Sequence, residues 1–153
     1  MRTEFETCLR RRDIATFQAA PSLVPKEVGQ ADHDLQAARN SWDDGECKWA
    51  TIQAYYAMFH AARALLYAEG YREKSHFCLS VALLELYMDT GKLPLPLVKD
   101  FDRAMLLRES ADYKGTFSVA GAREVVESAE RFITAAKQLL GYRAAPPPPD
   151  LNH

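Results

Sequence analysis

The sequence predicts an all-α fold, a single-domain, up-and-down antiparallel bundle of about five helices. Three observations lead there. Apolar residues recur three and four apart over several long stretches. Glycine and proline fall mostly between those stretches and keep the connections short, which favours antiparallel neighbours. No run alternates apolar and polar residues, and no Asn-Gly or Asp-Gly hairpin joins two apolar segments, so no strand is expected.

Residues 1–21 form an N-terminal arm. Leu9, Ile14 and Phe17 can pack on the body, while Arg10, Arg11 and Arg12 make a basic knot. That knot is either the solvated side of a docked arm or a contact to a phosphate backbone. The bundle occupies residues 22–141. Its first helix spans 22–43, with Val24, Val28, Ala31, Leu35, Ala38 and Trp42 on one face. Ser22 suits its N-cap and Pro25 its first turn, and Asp43-Asp44-Gly45 makes the following turn.

The central helix, Cys47–Glu69, holds neither proline nor glycine and is rich in Ala, Leu and Met. Ala50, Ala54, Ala57, Ala61, Ala64 and Ala68 share one side, and Ile52, Tyr55, Phe59, Ala62 and Leu66 the opposite one. A helix apolar over most of its circumference is central, with neighbours on several sides. One narrow stripe differs: Gln53, Tyr56, His60, Arg63 and Tyr67, which share a face by their spacing. Gly70 then suits a left-handed cap.

A third helix runs from a Ser75 cap to about Thr90, with Phe77, Leu79, Val81, Leu83, Leu84, Leu86 and Tyr87 wrapping most of it. Pro94 and Pro96 open a fourth, from about Leu95 to Tyr113, whose core face is Leu97, Phe101, Ala104 and Ala111. Ser118 caps the last helix, which ends near Leu140. Its inner face is Ala122, Val125, Ala129, Phe132, Ala136 and Leu139, with Arg123, Glu124, Glu127, Glu130, Arg131 and Lys137 mostly outside. Residues 142–153 contain Pro146 to Pro149 and are expected to be an extended, mobile tail.

A length of 153 residues suits one domain with one core. A net charge of −2 excludes a global basic field for nucleic acid, though a local patch remains open. No run is long enough to span a membrane, and the start has no apolar signal-peptide core, so a cytoplasmic chain is expected. Cys8, Cys47 and Cys78 are odd in number and far apart, which argues against a disulfide framework.

The fourth helix places Arg108 in register with its inward face, and Asp112 four residues on can meet it. The common nucleotide fingerprints GxxxxGK[ST] and GxGxxG are absent, as are HExxH and GxSxG. His60, His76 and Cys78 lack the two-plus-two spacing of a zinc site, so neither metal nor cofactor is expected. His60 reads as a hydrogen-bonded packing residue and His76 as a surface residue.

Three segments, KWATIQAYYAMFHAARALLY, GYREKSHFCL and LLRESADY, together resemble the HEPN domain (higher eukaryotes and prokaryotes nucleotide-binding) from about Leu23 to Leu140. Within them, Tyr55-Tyr56 with Met58-Phe59-His60-Ala61, and Arg108 with Asp112-Tyr113, carry the likeness. The resemblance implies an all-α bundle and two functional lines. Many HEPN proteins are metal-independent, dimeric ribonucleases, often toxins, with an Arg followed after four to six residues by a His. Others act beside a minimal nucleotidyltransferase, typically as its partner in a toxin–antitoxin pair. Here Arg108 matches, but Tyr113 stands where the His would be, and no Arg precedes any His at that spacing.

A tyrosine titrates near 10 and is a poor base at neutral pH, whereas Arg108 can still hold a phosphate. The resemblance therefore implies a protein that binds a nucleotide or RNA phosphate, as a homodimer with a nucleotidyltransferase partner. Its expected ligand residues are Arg108, Asp112, Tyr113, Tyr56, His60 and Arg63; no catalytic residue is assigned. Tyr113 is also a possible target of nucleotidyl transfer. The alternatives are an active ribonuclease using His60 or His76 as a substitute, and a structural dimer module whose polar stripe is an interface.

Overall fold

The central helix lies where its composition puts it. Helix α3 spans Cys47–Ala68, and α2, Val24–Asp43, precedes it across a tight turn in which Gly45 takes a positive φ of 75°. The computed structural model describes residues 1–142 and Leu151. Five of the six alanines of the α3 column are buried, Ala68 being the exposed one. With so little side chain in the way, α3 packs against α2 and α6 (Val119–Leu139), and also meets α5 (Leu95–Tyr113) and α4 (His76–Leu83). Along α3 from Ala50 to Leu66, Gln53, Tyr56, Phe59, His60 and Arg63 are the half-exposed positions. The polar stripe is thus the side of the helix that the bundle leaves open.

Ser75 and Ser118 cap α4 and α6 as expected, accepting from the backbone N–H of Cys78 (3.2 Å) and Gly121 (2.9 Å). Ser22 does not cap α2. Its hydroxyl donates to the Ala19 carbonyl instead, because a 3₁₀ turn at Ala20–Leu23 leads into the helix. The third helix breaks its register, ending in a single π turn at Leu84–Met88, where Tyr87 Oη donates to the Leu65 carbonyl at 2.6 Å. On α5, Phe101, Ala104 and Ala111 are buried as expected, while Val98 takes the core place expected of Leu97, which is only half-buried. Phe77 was expected to pack and is 64% exposed.

Three expectations are corrected by contacts between distant segments. Residues Ile14–Thr16 (β1) and Tyr71–Glu73 (β2) form a two-stranded antiparallel ladder, with Ile14 opposite Glu73. Three-residue strands are too short to show alternation. Cys8 and Cys78 are joined in a disulfide, their Cα atoms 5.9 Å apart across 70 residues of sequence. The arm explains it: α1 (Thr3–Arg10) buries Phe5 and Cys8 against the bundle and so brings the two cysteines together. Closing so long a loop restricts the unfolded chain, worth about 4 kcal/mol in the chain-entropy model. Glu130 was expected outside and is buried, because Arg39 of α2 donates two hydrogen bonds to its carboxylate.

One apolar cluster runs from Phe5, Cys8 and Ile14 through α3 to Phe132 and Ala136 of α6. Leu151 is buried against it, its carbonyl accepting from Arg123. The rest of the expected mobile tail, residues 143–150 and 152–153, lies outside the described residues. No helix among the described residues is long and apolar enough to cross a membrane.

Candidate functional site

Arg108 occupies the open edge between α3 and α5. Its Nη2 donates to Tyr56 Oη at 2.8 Å and its Nη1 to Tyr113 Oη at 3.2 Å. The guanidinium carbon lies 5.0 Å from the ring centres of both Tyr55 and Tyr56 and 5.5 Å from that of Tyr113. Three aromatic rings therefore surround one cation. Burial works against the Arg108 charge, but the Tyr56 and Tyr113 oxygens outweigh it and hold the guanidinium above its ordinary value. Its Nε is buried without a hydrogen-bond partner. Among the described residues, Arg108 is the half-buried arginine that no carboxylate neutralises: Arg2, Arg39 and Arg63 pair with Asp89, Glu130 and Glu73.

A second layer fixes the rings. Tyr55 Oη lies 3.0 Å from His76 Nδ1, and His76 Nε2 lies 2.9 Å from Asp102 Oδ1. An ionised Asp102 favours the proton on Nε2, which leaves Nδ1 to accept from the Tyr55 hydroxyl. Phe101 of α5 stacks nearly parallel on Tyr55, at 5.9 Å and 4°, and lies 4.3 Å from the His76 ring. Burial pushes the Tyr55 phenol well above its usual 10, and that of Tyr87 likewise. A folded-state value above the unfolded one contributes stability that is complete below pH 10 and lost as pH rises past it. Alkaline titration followed by circular dichroism is expected to show a loss of stability above about pH 10, flattened in Tyr55→Phe/Tyr87→Phe.

The six residues expected to bind ligand do not converge. Arg108, Tyr113 and Tyr56 meet. Asp112 is exposed and makes no ion pair with Arg108, which turns to the tyrosines instead, so the expected i,i+4 pair is absent. His60 and Arg63, further along α3, face other carboxylates. His60 Nδ1 lies 2.6 Å from Glu27 Oε2, with Asp34 3.6 Å from Nε2. Arg63 makes a bidentate pair with Glu73, at 3.0 and 2.9 Å, and lies over the Phe59 ring at 4.5 Å. Both side chains thus already have carboxylate partners inside the chain.

His76 is not the surface residue expected, its side chain being 11% exposed with both nitrogens in contact with partners. Asp102 and the hydrogen bond of Tyr55 were not foreseen. Their partners lie 26 and 21 residues away, and no local spacing marks such contacts.

A family model described as HEPN domain matches residues 26–140. The UPF0332 protein glr0978 of Gloeobacter violaceus is 31% identical over 116 residues, 74% of this chain and 92% of its own. A UPF0332 protein of Archaeoglobus fulgidus is 31% identical over 113 residues, 72% of this chain and 89% of its own. A Methanocaldococcus jannaschii protein named "Putative toxin MJ0142" is 25% identical over 96 residues, 63% of this chain and 65% of its own. The crystal structure of TT1696 from Thermus thermophilus superposes with a TM-score of 0.65 at 20% identity, over 76% of this chain and 97% of that one. At that identity the likeness speaks for the fold alone.

Proposed function

This chain belongs to the HEPN domain family, and from there we propose that it binds the phosphate of a nucleotide or RNA at Arg108, as one component of a toxin–antitoxin-like module. The observation that carries the reading is the half-buried Arg108 guanidinium, held between Tyr56 and Tyr113 with no carboxylate among the described residues to neutralise it. Such a cation favours an anion from outside, and the planar guanidinium suits phosphate oxygens. The names of two relatives, "Putative toxin MJ0142" and "Putative toxin MJ0605", support the module.

Binding is favoured over cleavage. Tyr113 stands where the signature histidine would be, and the groups that Arg108 meets are tyrosines rather than a histidine. The expected result with total RNA in EDTA is intact RNA, with nucleotide binding lost in Arg108→Ala. Metal-independent cleavage by the wild-type protein would overturn this reading.

The proposed partners are a second copy of the chain and a separately encoded minimal nucleotidyltransferase. Tyr113 is 74% exposed, which suits it as the acceptor of a nucleotidyl group from that transferase. Incubation with a transferase encoded beside this chain and ATP is expected to add nucleotidyl mass to the peptide bearing Tyr113, read by mass spectrometry. An unchanged peptide mass would remove Tyr113 as the acceptor.

A further inference from the structure

The surface charge is uneven at one corner. Arg10, Arg11 and Arg12 follow one another at the end of α1, and Arg72 and Lys74 stand on and just after β2; all five are exposed. Backbone contacts hold the two segments together. The Lys74 N–H donates to the Asp13 carbonyl at 2.9 Å, and Arg72 lies opposite Ala15 in the ladder. The Cys8–Cys78 disulfide pins the end of α1 to α4. Five cations thus share one corner of a chain whose net charge is −2. None is ion-paired among the described residues, whereas Arg2, Arg39, Arg63, Arg103, Arg123 and Arg131 each are. Of the nearby carboxylates, Glu73 is taken by Arg63, and Glu6, one turn before Arg10, and Asp13 make no ion pair with any of the five.

Local stability does not account for the cluster. Cations at a helix C-terminus favour the dipole, which covers Arg10 and Arg11. Arg12 is different. Its φ is +61°, in the left-handed region, at the position after the helix where glycine is usual. The closing bonds run from the Arg12 N–H to the Leu9 carbonyl and from the Asp13 N–H to the Cys8 carbonyl. A strained arginine at a glycine position points to a use for its side chain. Arg72 and Lys74 belong to another segment altogether.

Aromatic rings accompany these cations, one in contact and one close in sequence. Phe77, three residues after Lys74, is 64% exposed, and the Arg72 guanidinium lies 5.8 Å from the Phe17 ring centre. Cations for phosphates together with an exposed ring for a base, here Phe77, are the elements of a single-stranded nucleic-acid surface. An acidic protein face would use the cations and leave Phe77 idle. Arg10 to Arg12 also precede the segment that the HEPN model matches.

We propose that this corner docks the phosphate backbone of single-stranded RNA. The proposal stands apart from the Arg108 site, although α3 leads from one to the other. Tyr67, whose ring meets Phe17 at 6.2 Å, lies about 16 Å along the helix axis from Tyr56.

The test is fluorescence anisotropy with a labelled short oligouridylate across a salt series, using the full chain. In Arg10→Gln/Arg11→Gln/Arg12→Gln, affinity is expected to fall on the order of tenfold or more, and the log–log salt slope to shrink by about 2. Arg12→Gly separates docking from stability. It is expected to raise the melting temperature by roughly 2–4 °C while reducing the salt slope by about 0.7. Arg108→Gln is expected to lose AMP binding, whereas the triple variant keeps it at the wild-type affinity, so the two sites fail separately. Wild-type affinity and slope in the triple variant would overturn the proposal, whatever Arg108 does with AMP. Equal affinity for polyglutamate would overturn the assignment to RNA.

Discussion

Arg108→Gln is expected to bind AMP or inorganic phosphate at least tenfold more weakly than the wild-type protein, while remaining folded. The magnitude follows from the contact removed. A hydrogen bond between charged partners contributes about 1.5–3 kcal/mol, which is roughly tenfold to over a hundredfold in affinity. The substitution breaks no ion pair among the described residues, but it removes the hydrogen bonds to Tyr56 and Tyr113 and the contacts to three rings, so a modest loss of stability is expected as well. Arg108→Lys keeps the charge but loses the planar fork that reaches both Tyr56 and Tyr113, so it is expected to fall between the two. Tyr56→Phe removes the 2.8 Å bond that aims the guanidinium and is expected to cost less than loss of the cation itself. Calorimetric titration with each ligand measures all four proteins. Equal affinity in wild type and Arg108→Gln would remove Arg108 from the site.

Phe101→Ala is expected to cost about 3–5 kcal/mol of folding stability, the range for truncating a buried aromatic side chain. Phe101 is fully buried and touches three rings at once: Tyr55, His76 and Phe132, the last at 5.6 Å. Most domains hold only about 5–15 kcal/mol in all, so the variant is expected to sit close to its unfolding transition. The loss also bears on the site. Phe101 backs both Tyr55 and His76, and Tyr55 is one of the three rings around Arg108. Weaker AMP binding is therefore expected along with the lower urea midpoint. Phe101→Leu, which keeps most of the volume, is expected to recover much of both. A loss below about 1 kcal/mol would show that the cluster repacks and does not brace the site.

The helices were legible because their causes are local. A run without glycine or proline, an apolar period of three and four, and a serine before the first turn act within a few residues. They located α3, α5 and α6 closely, and they marked Gln53, Tyr56, His60, Arg63 and Tyr67 as the face that the bundle leaves half-exposed. The motif around Arg108 and Tyr113 was legible as well, together with the absence of its histidine. What the side chains do with one another was decided only by the tertiary structure. Arg108 shares a register with Asp112 yet bonds to Tyr56, 52 residues away. His60 and Arg63 read as ligand residues but contact Glu27 and Glu73 instead. The β1–β2 ladder and the Cys8–Cys78 bond join segments that no sequence period connects. A helix is set by neighbours within a turn. The partner of a charge or a thiol depends on which distant surfaces close on it once the apolar faces have packed.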